Sequence, residues 1–207
     1  AKDVSLDEEL VPSFTVVAPQ GEARVQLGAR GLHLVDNALA ASAAALAVGV
    51  PLETVVAGLA EPVLSPMRMA LVRSPRGTRI LDDTYNANPM SVGAALNSLV
   101  ALPLASGGRR FAVLGEMAEL GDISAAEHSR LGKVAADLGI HVISVSAPDY
   151  LAELDPETPA DLAASIPEAL RLLADPPTGA PIGPDDVVLV KGSRVAGLER
   201  LVDLLSA

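Results

Sequence analysis

Short apolar segments that alternate with helical patterns constrain the fold of this chain more than any other feature. Residues 111–114 (Phe-Ala-Val-Leu), 140–145 and 187–190 (Val-Val-Leu-Val) each precede a segment whose apolar residues recur at helical spacing. Short continuous apolar runs are typical of strands that are buried on both faces. Their alternation with helices predicts an α/β fold with a mostly parallel sheet and right-handed crossovers.

The composition supports this fold class and excludes several functions. Half of the 207 residues are hydrophobic but only 2% are aromatic, so the core consists of Ala, Val, Leu and Ile, as suits helices packed on a sheet. The net charge of -11 argues against a nucleic-acid partner, because such a chain repels phosphate backbones. There is no cysteine, and the longest apolar stretch, residues 38–50, is too short to cross a membrane.

The first 65 residues form a separate region. Residues 13–17 and 23–27 predict a β-hairpin, and two helices are predicted, one from about Asp36 to Val48 and one that starts at Pro51. A hairpin and a helix pair are little for an independent core. Because the chain also lacks an initiator Met, we expect residues 1–65 to be the end of a domain whose beginning is missing, and residues 66–207 to be a second domain.

Local signals predict where helices begin. Asn88 with Pro89 predicts a cap and a first helical residue. Ser-x-x-Glu occurs at residues 124–127 and 165–168 and predicts a capping box at each place. Residues 175–184 are rich in Pro and Gly and predict a loop.

Polar residues follow the strands of the second domain. Four loops, residues 82–88, 115–121, 146–148 and 191–194, come after strands and are expected at one edge of the sheet, where open α/β sheets bind ligands. The last, Lys-Gly-Ser-Arg, is the best candidate anion site because it combines two cations with a helix start. The alternative for each loop is a solvated connection with no ligand.

Several single residues are also candidates. His33 and Asn37 can share a face if their helix starts early, and an Asn amide can pair with an adenine edge; otherwise Asn37 caps the helix and His33 is solvated. Arg68 can bind phosphate or ribose, or lie on the surface. The two carboxylates of the 115–121 loop, Glu116 and Glu119, can meet a metal, an amine or only water. His128 is more often structural than catalytic at its place on a helix.

The phosphate-binding pattern Gly-x-x-x-x-Gly-Lys-Ser/Thr does not occur in the sequence. The lysines are Lys2, Lys133 and Lys191, and none lies in such a context. The chain as given therefore has no P-loop.

Five segments, in order, resemble signatures of the Mur ligase family. The strongest is Asp82–Pro89, Asp-Asp-Thr-Tyr-Asn-Ala-Asn-Pro, which resembles the family's Asp-Asp-Ser/Thr-Tyr-Asn-Ala-Asn-Pro. The others are Gly31-Leu32-His33 with Asn37-Ala38-Leu39-Ala40-Ala41, Ser65-Pro66-Met67-Arg68-Met69, Leu114–Gly121 with His128, and Lys191-Gly192-Ser193-Arg194. Many relatives have Asn after the first His, where this chain has Leu34, so one possible adenine contact is absent.

The resemblance implies a part of an ATP-dependent, amide-forming ligase. Among the family's members, the chain resembles the one that adds D-alanyl-D-alanine to UDP-N-acetylmuramoyl-tripeptide through an acyl phosphate, in peptidoglycan precursor synthesis. The chain would contain the end of the central ATPase domain (residues 1–65) and a C-terminal Rossmann-like domain (residues 66–207), with helices on both faces of its sheet. The N-terminal domain and the P-loop would be missing, so we expect the isolated chain to be inactive.

The resemblance also implies roles for individual residues. The ATP side would comprise His33, Asn37, Arg68 and Asp83. The D-alanyl-D-alanine side would comprise Tyr85, Asn86, Asn88, Glu116, Lys191, Ser193 and Arg194. ATP and Mg²⁺ would serve the full-length enzyme, with no metal ligand in this chain, and that enzyme would be a cytoplasmic monomer with small-molecule substrates. The alternative is a non-catalytic Rossmann-like module that binds a small anionic ligand or a partner.

Overall fold

The computed structural model describes residues 1–176 and 179–207, which form two compact units, Ala1–Ser65 and Pro66–Ala207. Pro177 and Thr178 belong to the loop predicted over 175–184 and lie outside the described residues. None of the described helices is both long and apolar enough to cross a membrane.

The first unit is a three-stranded antiparallel sheet with two helices. Its strands β1 (Lys2–Leu6), β2 (Pro12–Ala18) and β3 (Gly21–Gln26) lie in the order β1-β2-β3. The predicted hairpin is confirmed, with Phe14 opposite Val25 in its core. Strand β1 was not predicted, because its residues are largely exposed and show no apolar face that a pattern search would detect.

The helices of this unit are α1 (Leu34–Ala47) and α2 (Leu52–Ala60). Helix α1 starts two positions earlier than the predicted Asp36, with His33 at its N-cap position in helical backbone conformation. Pro51 stands at the N-cap position of α2. The early start of α1 places His33 and Asn37 one turn apart and rules out Asn37 as the cap.

The second unit contains the predicted α/β sheet. Its six strands lie in the order β4-β5-β9-β6-β7-β8, and all neighbours are parallel except β4 with β5. Strand β8 was not predicted, because it has only four residues and exposes Leu162. The bounds are β4 (Ala70–Arg73), β5 (Arg79–Asp83), β6 (Arg110–Gly115), β7 (His141–Val145), β8 (Ala160–Ala163) and β9 (Val187–Lys191).

Helices cover both faces of this sheet, as predicted. Helices α5 (Ile166–Ala174) and α6 (Glu199–Ser206) bury one face, in a cluster that includes Val113, Val188 and Val190. Helices α3 (Pro89–Ala101) and α4 (Ser124–Asp137) pack against each other and contact β9 and β7 respectively. Side chains alternate along a strand, so Ala112 and Leu189 point to the opposite face from Val113 and Val188.

Two of the three predicted helix caps are confirmed. The side chain of Asn88 accepts a hydrogen bond from the Ser91 amide, and Pro89 is the first residue of α3. Ser165 accepts from the Glu168 amide, while the Glu168 carboxylate accepts from the amide of Ala164 rather than that of Ser165.

The capping box predicted at residues 124–127 is wrong. A 3₁₀ turn over Gly121–Ile123 leads directly into α4, so Ser124 is already inside the helix and Ile123 occupies the cap position without a side-chain bond. A preceding turn offers the first amides backbone acceptors, which removes the need for a side-chain cap.

Candidate functional site

Three of the four predicted loops meet at the carboxyl ends of the parallel strands. They surround a cavity of about 630 Å³. The fourth, residues 146–148, contributes instead to a separate cavity of about 360 Å³ with Ser165 and Arg200. The lining of the first cavity, hereafter the edge cavity, comprises Met67, Tyr85, Asn86, Ala87, Asn88, Ala118, Glu119, Leu120, Ser193, Arg194 and Val195.

A buried ion pair stands beside this cavity, where β5 and β9 end. Asp83 and Lys191 are register partners, and the Lys191 ammonium lies 2.6 Å from a carboxylate oxygen of Asp83. The same ammonium donates to the carbonyl of Asn86 at 2.8 Å. Burial lowers the pKa of Lys191 from its usual value, and the Asp83 carboxylate opposes that shift.

This geometry corrects the expected role of Lys191. The side chain is only 2% exposed, and its donors are directed at Asp83 and Asn86. It does not line the edge cavity, and its charge is already neutralised, so it is not placed to receive a substrate carboxylate. Lys191 instead holds the residue 84–88 loop against the end of β9.

Asp83 also fastens the segment that begins the second unit. Its other carboxylate oxygen accepts a hydrogen bond from the Met69 amide at 3.2 Å, and the Tyr85 amide donates to the Met67 carbonyl at 3.0 Å. Met67 and Met69 have φ values of 61° and 51°, in the left-handed region that non-glycine residues rarely adopt. Such strain persists only where surrounding bonds impose it, and it clusters at functional sites.

Arg68, between these two methionines, stacks on Tyr85. Its guanidinium carbon lies 4.0 Å from the centroid of the ring, the geometry of a cation–π contact. Within residues 1–176 and 179–207 its N–H groups have no hydrogen-bond acceptor, which leaves them available to an anionic ligand. The structure thus joins two residues that the sequence assigned to different substrates.

Asp82 has a local structural role. Its carboxylate accepts from both the amide and the hydroxyl of Thr84, which turns the chain out of β5. Burial raises the pKa of Asp82, and the two bonds from Thr84 oppose that rise.

Buried contacts hold the loop of residues 115–121 in place. The Met117 amide donates to Nε2 of His128 at 2.9 Å, so that nitrogen is the acceptor and Nδ1 carries the hydrogen, which it donates to the Ser124 carbonyl. The Tyr150 hydroxyl donates to Gly115, and burial raises the pKa of that phenol. His128 is therefore structural.

This anchoring decides which acidic residue of the loop meets the cavity. The amide of Ser193 donates to the Glu116 carbonyl, and Glu116 itself does not line the edge cavity. Glu119 does line it, with a strained φ of 64°. Glu116 and Glu119 both belong to the Leu114–Gly121 motif. The sequence therefore identified the loop, but it could not show which of the two glutamates lines the cavity.

The Lys-Gly-Ser-Arg loop presents two polar groups to the cavity. Ser193 is buried, and its hydroxyl has no hydrogen-bond partner within residues 1–176 and 179–207. Arg194 is largely exposed, 3.6 Å from the Met67 sulfur and 3.9 Å from a Glu199 carboxylate oxygen. A buried hydroxyl without a hydrogen-bond partner is unfavourable unless a ligand or water satisfies it, so the Ser193 hydroxyl can donate to a bound anion. Arg194 is an exposed cation and suits an anion through its charge.

The remaining candidates differ in availability. Asn86 is exposed at the cavity, whereas the side-chain oxygen of Asn88 is used as the cap of α3 and only its amide nitrogen is uncommitted. His33 and Asn37 belong to the first unit, where both are exposed at the start of α1. Within the described part of the chain, no cluster of three or more His, Asp or Glu side chains is arranged to hold a metal ion.

Comparisons with known proteins agree with these motifs. Residues 67–194 match the family model described as "Mur ligase, glutamate ligase domain". The UDP-N-acetylmuramoyl-tripeptide–D-alanyl-D-alanine ligase of Mycobacterium tuberculosis is 40% identical over 225 residues, an alignment that covers 100% of this chain and 44% of the relative. The chain thus spans less than half the length of that relative.

Solved structures resemble the fold as a whole. MurF from Acinetobacter baumannii superposes with a TM-score of 0.83 at 33% identity, over 99% of this chain and 44% of that one. MurF from Thermotoga maritima in complex with ADP superposes with a TM-score of 0.78 at 25% identity, over 99% and 45% of the two chains. The predicted resemblance is confirmed: the chain belongs to the Mur ligase family.

Proposed function

We propose that this chain is the C-terminal part of an ATP-dependent ligase that joins D-alanyl-D-alanine to UDP-N-acetylmuramoyl-tripeptide in peptidoglycan precursor synthesis. The Mycobacterium tuberculosis relative that carries this name aligns with the whole length of the chain. In this proposal residues 1–65 end the central ATP-binding domain, and residues 66–207 form the Rossmann-like ligase domain. The P-loop and the sugar-nucleotide domain lie in sequence outside this chain.

One observation carries the proposal. Donors from two separate segments lie at the edge cavity and the loop beside it: Arg68 from one, and Ser193 and Arg194 from the other. The reactants of such a ligase are anionic: a nucleotide triphosphate, a peptide carboxylate and a zwitterionic dipeptide. A catalyst for them works mainly by holding like charges together and by electrostatic stabilisation, which requires preorganised donors.

The family resemblance implies a division of labour between two sets of residues. We assign Arg68 to the nucleotide phosphates or ribose, with Asp83 nearby for ribose hydroxyls and His33 and Asn37 for adenine. Asn86, the Asn88 amide, Ser193 and Arg194 would orient the dipeptide through its carboxylate and amide. The relative solved with ADP supports a nucleotide in this family of structures.

The same proposal includes the cofactors, the cellular compartment and the oligomeric state of the full-length enzyme. ATP supplies the phosphoryl group that activates the tripeptide carboxylate. By the family resemblance, Mg²⁺ would be held by residues outside this chain. The full-length enzyme would work in the cytoplasm as a monomer on small-molecule substrates.

The test uses the full-length protein, with phosphate release measured in the presence of ATP, the UDP-linked tripeptide and D-alanyl-D-alanine. We expect Arg68→Ala and Asp83→Ala to reduce kcat/KM by about 100-fold, as for the loss of a group that positions a reactant. Arg73→Ala is the matched control, because Arg73 is an exposed arginine at the other end of β4. It should retain wild-type turnover.

Two results would contradict the proposal. Near-wild-type turnover in both Arg68→Ala and Asp83→Ala would leave a binding module without catalysis as the better description. ATP hydrolysis by the isolated 207-residue chain would show that the site is complete without a P-loop. The Asp83 result is interpreted beside a urea melt of the same variant, because that carboxylate also neutralises Lys191.

A further inference from the structure

We propose that Tyr85 is a positioning residue for Arg68, and that its ring holds the guanidinium ready for the nucleotide. The inference rests on the proposed function, in which Arg68 meets ATP. It moves Tyr85 from the dipeptide side, where the sequence placed it, to the nucleotide side.

The stack is the first observation. The guanidinium carbon of Arg68 lies 4.0 Å from the ring centroid of Tyr85. Both residues are exposed, with Tyr85 at 38%, so no surrounding core forces the two side chains together. In this arrangement the ring face binds the guanidinium plane, and the N–H groups along its edges remain free to form a forked contact with phosphate.

The backbone keeps the two residues in register. The Tyr85 amide donates to the Met67 carbonyl, and the Met69 amide donates to the Asp83 carboxylate. The residues on both sides of Arg68 are therefore bound to the loop that carries Tyr85. The positive φ values of Met67 and Met69 show that the segment is held in a conformation it would not adopt alone.

Local charge explains why the ring is needed. Burial is the main cause of the lowered pKa of Lys191, and the nearby Arg68 cation lowers it further, so the two cations repel each other. Asp83 neutralises Lys191 and offers nothing to the Arg68 side chain. The ring of Tyr85 supplies attraction without a negative charge, which would compete with phosphate for the guanidinium.

It follows that the ring of Tyr85 matters and its hydroxyl does not. This separates the inference from a direct substrate contact, because a side chain that hydrogen-bonds the dipeptide would need the hydroxyl. Tyr85→Phe keeps the ring face, and Tyr85→Leu removes it at similar volume.

The experiment compares these two variants with Arg68→Ala in the full-length ligase, with KM measured separately for ATP and for D-alanyl-D-alanine. Tyr85→Leu should raise KM for ATP roughly two- to five-fold, the size of one exposed cation–π contact, and leave KM for D-alanyl-D-alanine unchanged. Tyr85→Phe should match the wild type for both substrates. Arg68→Ala should raise KM for ATP at least as much as Tyr85→Leu.

Failure of the inference and failure of the proposed function give different results. If Arg68→Ala raises KM for ATP while Tyr85→Leu does not, the positioning role is overturned and the function stands. If Tyr85→Phe raises KM for D-alanyl-D-alanine, the hydroxyl contacts the dipeptide and the inference is overturned. If Arg68→Ala leaves KM for ATP unchanged, the nucleotide role of Arg68 fails, and the inference that rests on it is overturned as well.

Spectroscopy tests the stack without any substrate. In the 207-residue chain, the NMR signals of the Arg68 side chain should be shifted by the aromatic ring. Tyr85→Phe should retain this shift and Tyr85→Leu should abolish it, at an unchanged urea midpoint. Identical Arg68 shifts in wild type and Tyr85→Leu would overturn the positioning role.

Discussion

The buried side chain of Lys191 connects two strand ends and the loop that follows β5. It joins the ends of β5 and β9 through Asp83 and fixes the next loop through the Asn86 carbonyl. Through the second oxygen of Asp83, the same ion pair is connected to the Met69 amide and so to the segment that carries Arg68. A buried pair of this kind adds little net stability over an apolar pair, but removing one partner leaves an uncompensated charge.

Lys191→Met should therefore destabilise the chain strongly. The lost partner leaves the Asp83 carboxylate, which is 13% exposed, without a counter-ion, and we expect a loss of about 3 kcal/mol in the free energy of unfolding, the lower end for a broken buried pair. Urea denaturation of the 207-residue chain measures it. Lys133→Met is the matched control, because Lys133 is exposed on α4 and its loss should stay within about 0.5 kcal/mol.

A second variant checks the cause. Adding Asp83→Asn to Lys191→Met removes the orphaned charge and should recover part of the lost stability. If the double variant is as unstable as the sum of two independent losses, the charge explanation is wrong.

At the scale of elements, the two Ser-x-x-Glu segments show how context overrides a local signal. They have the same pattern, yet only Ser165 caps a helix. The difference lies upstream, where Gly121 adopts a positive φ and starts a 3₁₀ turn that runs into α4. Ser165 has extended backbone before α5 and no such turn, so its hydroxyl must serve the first amides.

Alanine at the two serines should separate these cases. Ser165→Ala should lower the free energy of unfolding by about 1 kcal/mol, the usual effect of losing an N-cap. Ser124→Ala should change it by less than about 0.5 kcal/mol, since no cap bond exists there. Amide exchange at Glu168 and Glu127 gives the local readout, and equal losses in the two variants would contradict the structure.

At the scale of the whole molecule, an ion pair lies at the amino ends of the parallel strands, at the edge of the sheet opposite the site. Asp186 precedes β9 and accepts from the Arg109 guanidinium, the Arg109 amide and the Gly183 amide. Burial raises the pKa of Asp186, but the bonds from Arg109 and Gly183 outweigh it and hold the pKa below its usual 3.8. The unfolded chain then binds a proton more readily than the folded one between these two pKa values.

The stability of the chain should therefore fall as the pH drops below about 3.8, and Asp186 should account for part of that fall. Asp186→Asn should lose about 2 kcal/mol at pH 7, where the charge-assisted bonds are fully formed, and show a flatter decline in acid. Urea melts from pH 7 to pH 3 measure both effects. Asp185→Asn, at an exposed neighbour, should follow the wild-type curve, and a parallel curve for Asp186→Asn would contradict the argument.

Asp82 acts in the opposite direction. Burial raises its pKa, so the folded state binds the proton more readily than the unfolded state. Its contribution is largest below its usual pKa and is lost as the pH rises through the raised value. Asp82 is present in the wild type and in Asp186→Asn, so its contribution is common to both curves and the difference between them reports on Asp186.

Much of the fold followed from the sequence because the decisive signals are local. The runs at 111–114 and 187–190 became β6 and β9, and Asn88 and Ser165 became caps, since apolar continuity and capping chemistry act within a few residues. Strands β1 and β8 were not predicted. Exposed or very short strands are stabilised mainly by pairing with a neighbouring strand, and the residues of the strand alone do not indicate that pairing.

For the site, the sequence by itself determined which segments matter and which family they belong to, because its motifs are contiguous and specific. The tertiary structure alone decided what each side chain does there. It buried Lys191 against Asp83, brought Arg68 onto Tyr85, and turned Glu119 rather than Glu116 to the cavity. The physical reason is that burial, ion pairing and stacking depend on distances between residues far apart in the chain, and only the packed sheet and its loops establish those distances.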